Sequence, residues 1–385
     1  MKILIAPDKF KGSLSAREAA QDIDAGLREV LSKAKIDIVP MADGGEGTAE
    51  VICDALGGSW LKCEAHDPLG RQIEARYAYV DNKTLAVMEM SEAAGMRRLK
   101  SKEKDVDLAN TFGVGQMIRD AMRRDTREII IGLGGSATND GGFGMARALG
   151  FRFFAGDKEL TGAVTELERL TRIEPPGDVE ALASTKGRRL TQPPLQFDLP
   201  RIIAAADVRN PLLGANGATH VFGPQKGATE DKIGMLERAL TKLADIVSDD
   251  LGVDFRDEPG AGAAGGLGFG LMSFCDAKIR PGFDVVAEAV ELKSKMKDVD
   301  LIITGEGSLD RQTLEGKTPA GVARLARQLG KRIFAIVGRA SEDRQVRQIF
   351  DEVYVTTRPG MSETDSITRA AELLRERARE LASAL

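Results

Sequence analysis

The residues best suited to chemistry lie in three short stretches, each immediately after an apolar run that reads as a β-strand. Asp8, Lys9, Lys11 and Ser13 follow the first run; Asp43, Gly44, Gly45 and Glu46 follow the second; Gly305, Glu306, Gly307 and Asp310 follow a third near the C-terminus. A single Asp at such a place is commonly a helix N-cap, but three strand ends carrying acids, lysines and glycines together point to an anion-binding edge. Glycine lets backbone N–H groups approach an anion, and the helix that follows contributes its positive end. A fourth stretch, Gly132-Leu133-Gly134-Gly135-Ser136-Ala137-Thr138-Asn139-Asp140-Gly141-Gly142, has five glycines with hydroxyl, amide and carboxyl side chains between a strand and a helix, the composition of an anion nest. Asp207, after a further buried strand, and Lys226, in Gly223-Pro224-Gln225-Lys226-Gly227, add a metal-type and a phosphate-type side chain.

Several familiar motifs fail on their context. Gly260, Gly262 and Gly265 spell GxGxxG, but Asp257-Glu258-Pro259 stand where a dinucleotide fold needs an apolar strand. Gly316-Lys317-Thr318 resembles the end of a phosphate-binding P-loop, yet Arg311 occupies the required glycine position. Two histidines, His66 and His220, give little material for a histidine-centred triad or metal site, and Cys53, Cys63 and Cys275 form no CxxC pair. What remains suits phosphoryl transfer, in which positioning and charge neutralisation around Mg²⁺ do most of the work and a carboxylate accepts the hydroxyl proton.

The elements that position these residues follow from periodicity. The chain opens with a strand over Lys2–Ala6, a helix whose Ser15 and Glu18 fit a capping box and whose Ala20, Ile23, Leu27, Val30 and Leu31 form one stripe, a strand over Ile36–Met41, and a helix over Thr48–Leu56 ending at Gly57-Gly58. From Trp60 short alternating segments, Ile73–Val80 and Thr84–Met90, predict antiparallel strands. A helix over Gly115–Arg123, a strand over Glu128–Ile131, a helix over Gly142–Leu149 and a strand over Arg201–Ala205 follow, with a proline-bracketed polar loop over Pro175–Pro200. Alternation then resumes: helix Val285–Met296, strand Val299–Thr304, helix Thr318–Leu329, strand Arg332–Val337, helix Glu342–Phe350, strand Glu352–Thr356 and helix Ser362–Leu385. The pattern predicts an α/β protein: a discontinuous, flavodoxin-like, doubly wound parallel sheet domain built from residues 1–63 and 288–385, with an inserted mixed α/β domain over 64–287.

At 385 residues, 42% hydrophobic and 29% charged, two ordinary globular domains are expected. The net charge of −5 and the absence of a sustained Lys/Arg run argue against nucleic-acid and membrane partners. No stretch reads as a signal peptide or a transmembrane helix, so a soluble, cytoplasmic protein is expected.

The stretches APDKFKGSLSA (6–16), MADGGEGT (41–48), GLGGSATNDGG (132–142), NPLLGANGA (210–218), VFGPQKGA (221–228), PGAGAAGGLGFG (259–270) and ITGEGSLDRQTLEGKTP (303–319) resemble, in order and across nearly the whole chain, those of the type I glycerate kinases of bacteria. That resemblance implies a flavodoxin-like domain with an inserted second domain, ATP and Mg²⁺, and phosphorylation of D-glycerate to 2-phosphoglycerate in a cleft between the domains. It assigns no individual roles. Chemistry suggests Lys9, Lys11, Ser13, Gly44, Gly45 and Glu46 for glycerate, Gly134, Gly135, Ser136, Thr138, Asn139, Asp140 and Lys226 for the nucleotide, Glu306, Asp310 and Asp207 for the metal, and Asp43 as general base with Asp8 and Lys9 beside it. Two departures are the length and polarity of 175–200 and Thr111-Phe112-Gly113, where the family often has Ser and Tyr beside the glycine. A non-catalytic binding protein for small phosphorylated acids, or a kinase of another small hydroxy acid, would use the same residues.

Overall fold

The computed structural model describes residues 1–177, 199–311, 313 and 317–385; most of the polar loop expected over 175–200 lies outside the described residues. The chain divides into two compact units, residues 1–57 with 281–385, and residues 58–280. In chain order the first unit opens with β1 (Lys2–Pro7), α1 (Ala16–Val30), β2 (Lys35–Ile38) and α2 (Thr48–Leu56). The second contains β3 (Ser59–His66), β4 (Gln72–Val80), β5 (Leu85–Glu89), α3 (Ser91–Ala94), α4 (Phe112–Met122), β6 (Glu128–Gly132), α5 (Phe143–Ala148), β7 (Arg152–Ala155), β8 (Lys158–Glu159), β9 (Arg172–Glu174), β10 (Arg201–Ala205), α6 (Ala218–Phe222), α7 (Glu230–Leu251), α8 (Ala263–Cys275) and β11 (Lys278–Arg280). The chain returns to the first unit with α9 (Gly282–Ala289), α10 (Leu292–Lys295), β12 (Leu301–Leu309), α11 (Thr318–Gln328), β13 (Arg332–Ala340), α12 (Arg344–Arg347), β14 (Glu352–Val355), α13 (Glu363–Thr368) and α14 (Ala370–Ser383).

The first unit is a five-stranded sheet in the order β14-β13-β12-β1-β2, parallel throughout. Numbered within the unit this is 2-1-3-4-5, the flavodoxin-like order, with its switch point between β1 and β12. Ile3, Ile5, Leu301, Ile303, Phe334 and Ile336 form one apolar face against α1 and α14. The Ser15–Glu18 capping box starts α1 as expected, with Ser15 N donating to Glu18 Oε2 at 2.8 Å and Glu18 N to Ser15 Oγ at 3.2 Å. Gly26 lets α14 approach: a Cβ there would lie 2.3 Å from the Arg375 carbonyl oxygen.

The differences from the periodicity have local causes. β2 ends at Ile38, although Val39 and Met41 N–H still reach Ile5 O and Pro7 O; Pro40 between them turns its nitrogen to the open side of this edge strand, where a missing N–H costs no ladder bond. β12 and β13 run longer than expected because they pair out to Leu309 and Ala340. The expected helix over 285–296 is two, α9 and α10, separated by Glu291 in the left-handed region at φ 56°. The closing helix is likewise broken into α13 and α14 at Arg369, and the helix over 342–350 is the single turn α12.

The second unit is a six-stranded sheet in the order β11-β10-β6-β5-β4-β3. β3, β4 and β5 pair antiparallel, whereas β5, β6, β10 and β11 pair parallel. A small antiparallel sheet, β8-β7-β9, which the periodicity did not indicate, packs into the same core through Phe153; its ring meets Phe143 edge-on at 4.8 Å. Among the described residues no helix is long and apolar enough to cross a membrane.

Candidate functional site

In an open parallel sheet, ligands bind beyond the carboxyl ends of the strands at the switch point. In the first unit that point lies between the ends of β1 and β12, and Asp8 sits on it. Its backbone N–H continues the pairing to Gly305 O at 2.8 Å, which turns the side chain inward. The Asp8 carboxylate accepts from Lys9 N at 2.6 Å on Oδ1 and from the Thr318 hydroxyl at 2.6 Å on Oδ2, so α11 is fastened by its first residue to the end of β1. Glu306, buried on β12, accepts from the Thr313 hydroxyl at 2.8 Å. Asp43 is half-buried after β2, with Gly45 N donating to its Oδ1 at 3.1 Å.

These carboxylates lie close enough to perturb one another. Asp8 is raised from 3.8 to about 6, first by burial and then by the charge of Asp43, against the pull of Lys9 and the Thr318 hydrogen bond. Glu306 is raised from 4.5 to about 7, chiefly by burial; Thr313 and Lys317 oppose this, and Asp8 and Asp310 add to it. Perturbed acids gathered at one strand edge make this edge the candidate site.

The individual expectations fare differently. Lys9 is not directed at an open pocket: its Nζ donates to the Glu46 carbonyl at 2.5 Å and holds the 43–47 turn to the end of β1. Gly44 (φ 86°) and Gly47 (φ 97°) are left-handed, so this turn does require glycine. Gly305 and Gly307, expected as turn glycines, are inside β12. A Cβ on Gly305 would lie 2.2 Å from Ile336 O, so that residue is small because the strands press together, not because an anion approaches. Lys11 is exposed, and the Ser13 hydroxyl caps the Phe10 carbonyl at 3.0 Å. Sequence reasoning missed Thr313 and Thr318, which tie down Glu306 and Asp8, and Lys317, 4.0 Å from Asp310. It also missed Thr48, whose buried hydroxyl at the start of α2 has no hydrogen-bond partner among the described residues. The rejected GKT sequence held the signal for Lys317 and Thr318: it ends at a helix start beside the switch point.

The glycine-rich loop of the second unit differs most from expectation. Only Gly134, Gly135 and the edge of Ser136 reach the surface, with Gly135 at φ 75°. Thr138, Asn139 and Asp140 are buried completely. Asp140 is occupied internally: its Oδ2 accepts from Thr111 N and Oγ1 at 2.8 Å each and from Gly144 N at 3.0 Å, and its Oδ1 from Gly142 N at 3.1 Å. Asn139 donates to the Thr219 hydroxyl at 2.9 Å. Lys226 is buried as well, its Nζ on the Thr138 carbonyl at 2.7 Å, and burial lowers it to about 7. The glycines of 138–142 instead permit contact with the start of α8, where Ala264, Gly265 and Gly266 are left-handed. A Cβ on Gly265 would lie 1.9 Å from Thr138 O. Thr111 is thereby part of the support of Asp140, and the Phe112 ring meets His66 edge-on at 5.9 Å. His66 bonds Gln116 through Nδ1 at 2.9 Å, and Cys53, Cys63 and Cys275 are free and buried.

Glu306 and Asp310 belong to the first unit and Asp207 to the second. Among the described residues no group of three or more His, Cys, Asp or Glu could hold a metal ion by itself.

A flavodoxin-like sheet with acids gathered at its switch point, in one chain with a second α/β unit bearing a glycine-rich loop, defines a two-unit α/β protein. The profile of the glycerate kinase family matches residues 3–385, and the chain belongs to that family. It is 40% identical over 383 residues to a glycerate kinase of Halalkalibacterium halodurans, covering 99% of this chain and 97% of that one. It is 40% identical over 344 residues to a glycerate 2-kinase of Escherichia coli, covering 89% and 86%. A crystal structure described as that of a glycerate kinase 2 from Salmonella typhimurium LT2 superposes with a TM-score of 0.85 at 39% identity, covering 100% of this chain and 98% of the other.

Proposed function

We propose that the protein phosphorylates the 2-hydroxyl of D-glycerate with ATP, and that the acceptor binds at the switch point of the first unit. The observation that carries this is the convergence of Asp8, Asp43 and Glu306 there, with two of the three held well above the ordinary carboxylate range. Asp43 is the general base. It is the half-buried member of the group, and the left-handed Gly44 beside it allows a small substrate to approach the backbone. Lys9 positions the turn through Glu46 and Gly45 N–H is held by Asp43, while the exposed Lys11 and the N-terminus of α2 suit the carboxylate of glycerate.

The nucleotide reading narrows to Gly134, Gly135 and Ser136, the exposed part of the second unit's loop. Thr138, Asn139, Asp140 and Lys226 act from behind by fixing that loop. Mg²⁺ commonly uses one or two carboxylates and takes its other ligands from phosphates and water. Glu306 and Asp310 are the fitting donors, and the ion would neutralise charge on the transferring phosphoryl group.

The test is ATP consumption with and without D-glycerate, with phosphorus NMR of the product. ATP turnover dependent on glycerate and a 2-phosphoglycerate signal are expected; exclusive 3-phosphoglycerate would overturn the regiochemistry, and binding without turnover the enzymatic reading. Asp43→Asn should lower kcat by roughly 10² to 10⁴ with ATP affinity retained. A variant within about threefold of the parent kcat would show that Asp43 only shapes the turn.

A further inference from the structure

We propose that Lys317 is a catalytic residue whose ammonium binds the phosphoryl group as it passes from ATP to the glycerate hydroxyl. The proposal rests on the reading of the first unit's switch point as the acceptor site.

Phosphoryl transfer spreads negative charge over three equatorial oxygens, and an edge that holds Asp8, Asp43, Glu306 and Asp310 repels that charge unless cations offset it. Mg²⁺ would offset part. Of the lysines named so far, Lys9 is engaged with the Glu46 carbonyl and Lys11 is exposed in the turn after β1. Lys226 belongs to the other unit and is buried on the Thr138 carbonyl.

Lys317 stands among the acids themselves. It is the residue before α11, and its successor Thr318 is fixed to Asp8 Oδ2 at 2.6 Å. Lys317 Nζ lies 4.0 Å from Asp310 Oδ1; Asp310 N donates to Thr313 Oγ1 at 3.1 Å, and that hydroxyl donates to Glu306 Oε1 at 2.8 Å. One chain of contacts thus runs from Asp8 through Lys317 to Glu306, and the Lys317 charge favours the ionised form of Glu306.

The fold itself has little use for this ammonium. At 4.0 Å the Asp310 contact is beyond hydrogen-bond reach, and the side chain makes no cap bond to α11. The Lys317 side chain is 31% exposed, and an ion pair so open to water adds little stability. Its three N–H donors, a compact charge on a flexible stem, are therefore available to phosphoryl oxygens. In the transfer, the acceptor oxygen bonds to phosphorus as the bond from phosphorus to the ADP oxygen breaks. That electron pair leaves with ADP, the hydroxyl proton passes to Asp43, and Lys317 keeps its protons while its stem follows the moving group.

The test is glycerate-dependent ATP turnover of Lys317→Ala and Lys317→Arg, with urea unfolding to show that both fold like the parent. Lys317→Ala should lose roughly 10² to 10³ in kcat, with KM for glycerate and for ATP nearly unchanged, and Lys317→Arg should retain more activity. Propylammonium, which replaces the deleted atoms, should raise kcat of Lys317→Ala, whereas tetramethylammonium, a cation without N–H donors, should not. A Lys317→Ala kcat within about threefold of the parent, a higher KM for glycerate at unchanged kcat, a loss that added Mg²⁺ restores, or no response to propylammonium would each overturn the role. A parent chain without glycerate-dependent turnover would instead overturn the function on which the role rests.

Discussion

Asp8→Asn should make the protein more stable and less active, and the size of the gain follows from the burial of that carboxyl. Asp8 is raised from 3.8 to about 6 because it is enclosed and faces the charge of Asp43. A carboxyl that holds its proton more tightly in the folded chain contributes its full stability only while protonated, below about pH 4. That contribution is lost as pH rises through about 6, because the folded chain must then carry a buried charge that the unfolded chain carries in water. A gap of about two pKa units corresponds to about 3 kcal/mol. Asparagine keeps the shape: its amide oxygen can still accept from Lys9 N, and the Thr318 hydroxyl can turn to accept from the amide. In urea unfolding followed across pH, Asp8→Asn should therefore exceed the parent by about 3 kcal/mol at pH 8 and match it below about pH 4, while glycerate-dependent turnover falls. A difference that does not change with pH, or a less stable variant at pH 8, would show that Asp8 ionises in the fold without cost and would refute the reasoning.

Three further outcomes are expected. Gly282→Ala adds a methyl 1.9 Å from the Asp43 carbonyl oxygen; it should lower kcat through displacement of the Asp43 turn, with nucleotide affinity measured by calorimetry unchanged. Thr318→Val removes a donor that stabilises ionised Asp8, and since a hydrogen bond to a charged group contributes about 1.5–3 kcal/mol, the pH at which the stability contribution of Asp8 is lost in urea unfolding should move up by about one to two units. An unmoved transition would show that the hydroxyl does not hold the ionised carboxyl. Asp140→Ala leaves the buried N–H groups of Thr111, Gly142 and Gly144 without their acceptor and should cost more than about 3 kcal/mol in denaturant unfolding. A folded, stable Asp140→Ala protein that had lost only nucleotide affinity would return that residue to the ligand.

Much of the molecule is written in short-range patterns. The capping box at Ser15 and Glu18, the apolar stripe from Ala20 to Leu27 and the stop of α2 at Gly57 depend on neighbours within a turn or two, and they sit where periodicity places them. The alternation of buried strands and helices at both ends of the chain specified a doubly wound sheet, because a parallel strand pair needs a crossover long enough to hold a helix. For the same reason the strand ends were the place to look for chemistry, and Asp8, Asp43 and Glu306 were legible there.

The tertiary structure decided which polar residues are available to a ligand, since burial depends on elements distant in sequence. GGSATNDGG reads as an anion nest in isolation, but α8 comes down on it through Gly265 and Gly266, and Thr111 fills the Asp140 carboxylate, so only Gly134 to Ser136 remain at the surface. Likewise Gly305 looks like a turn glycine until β13 is laid beside it, and Lys9 looks like a free cation until the Glu46 carbonyl is brought to it. Thr318 gained its role in the opposite way, 310 residues from the carboxylate it holds. The sequence determined the strands, their helices and the edge at which acids gather; only packing between distant segments could decide which of those side chains are spent on one another and which are left for substrate.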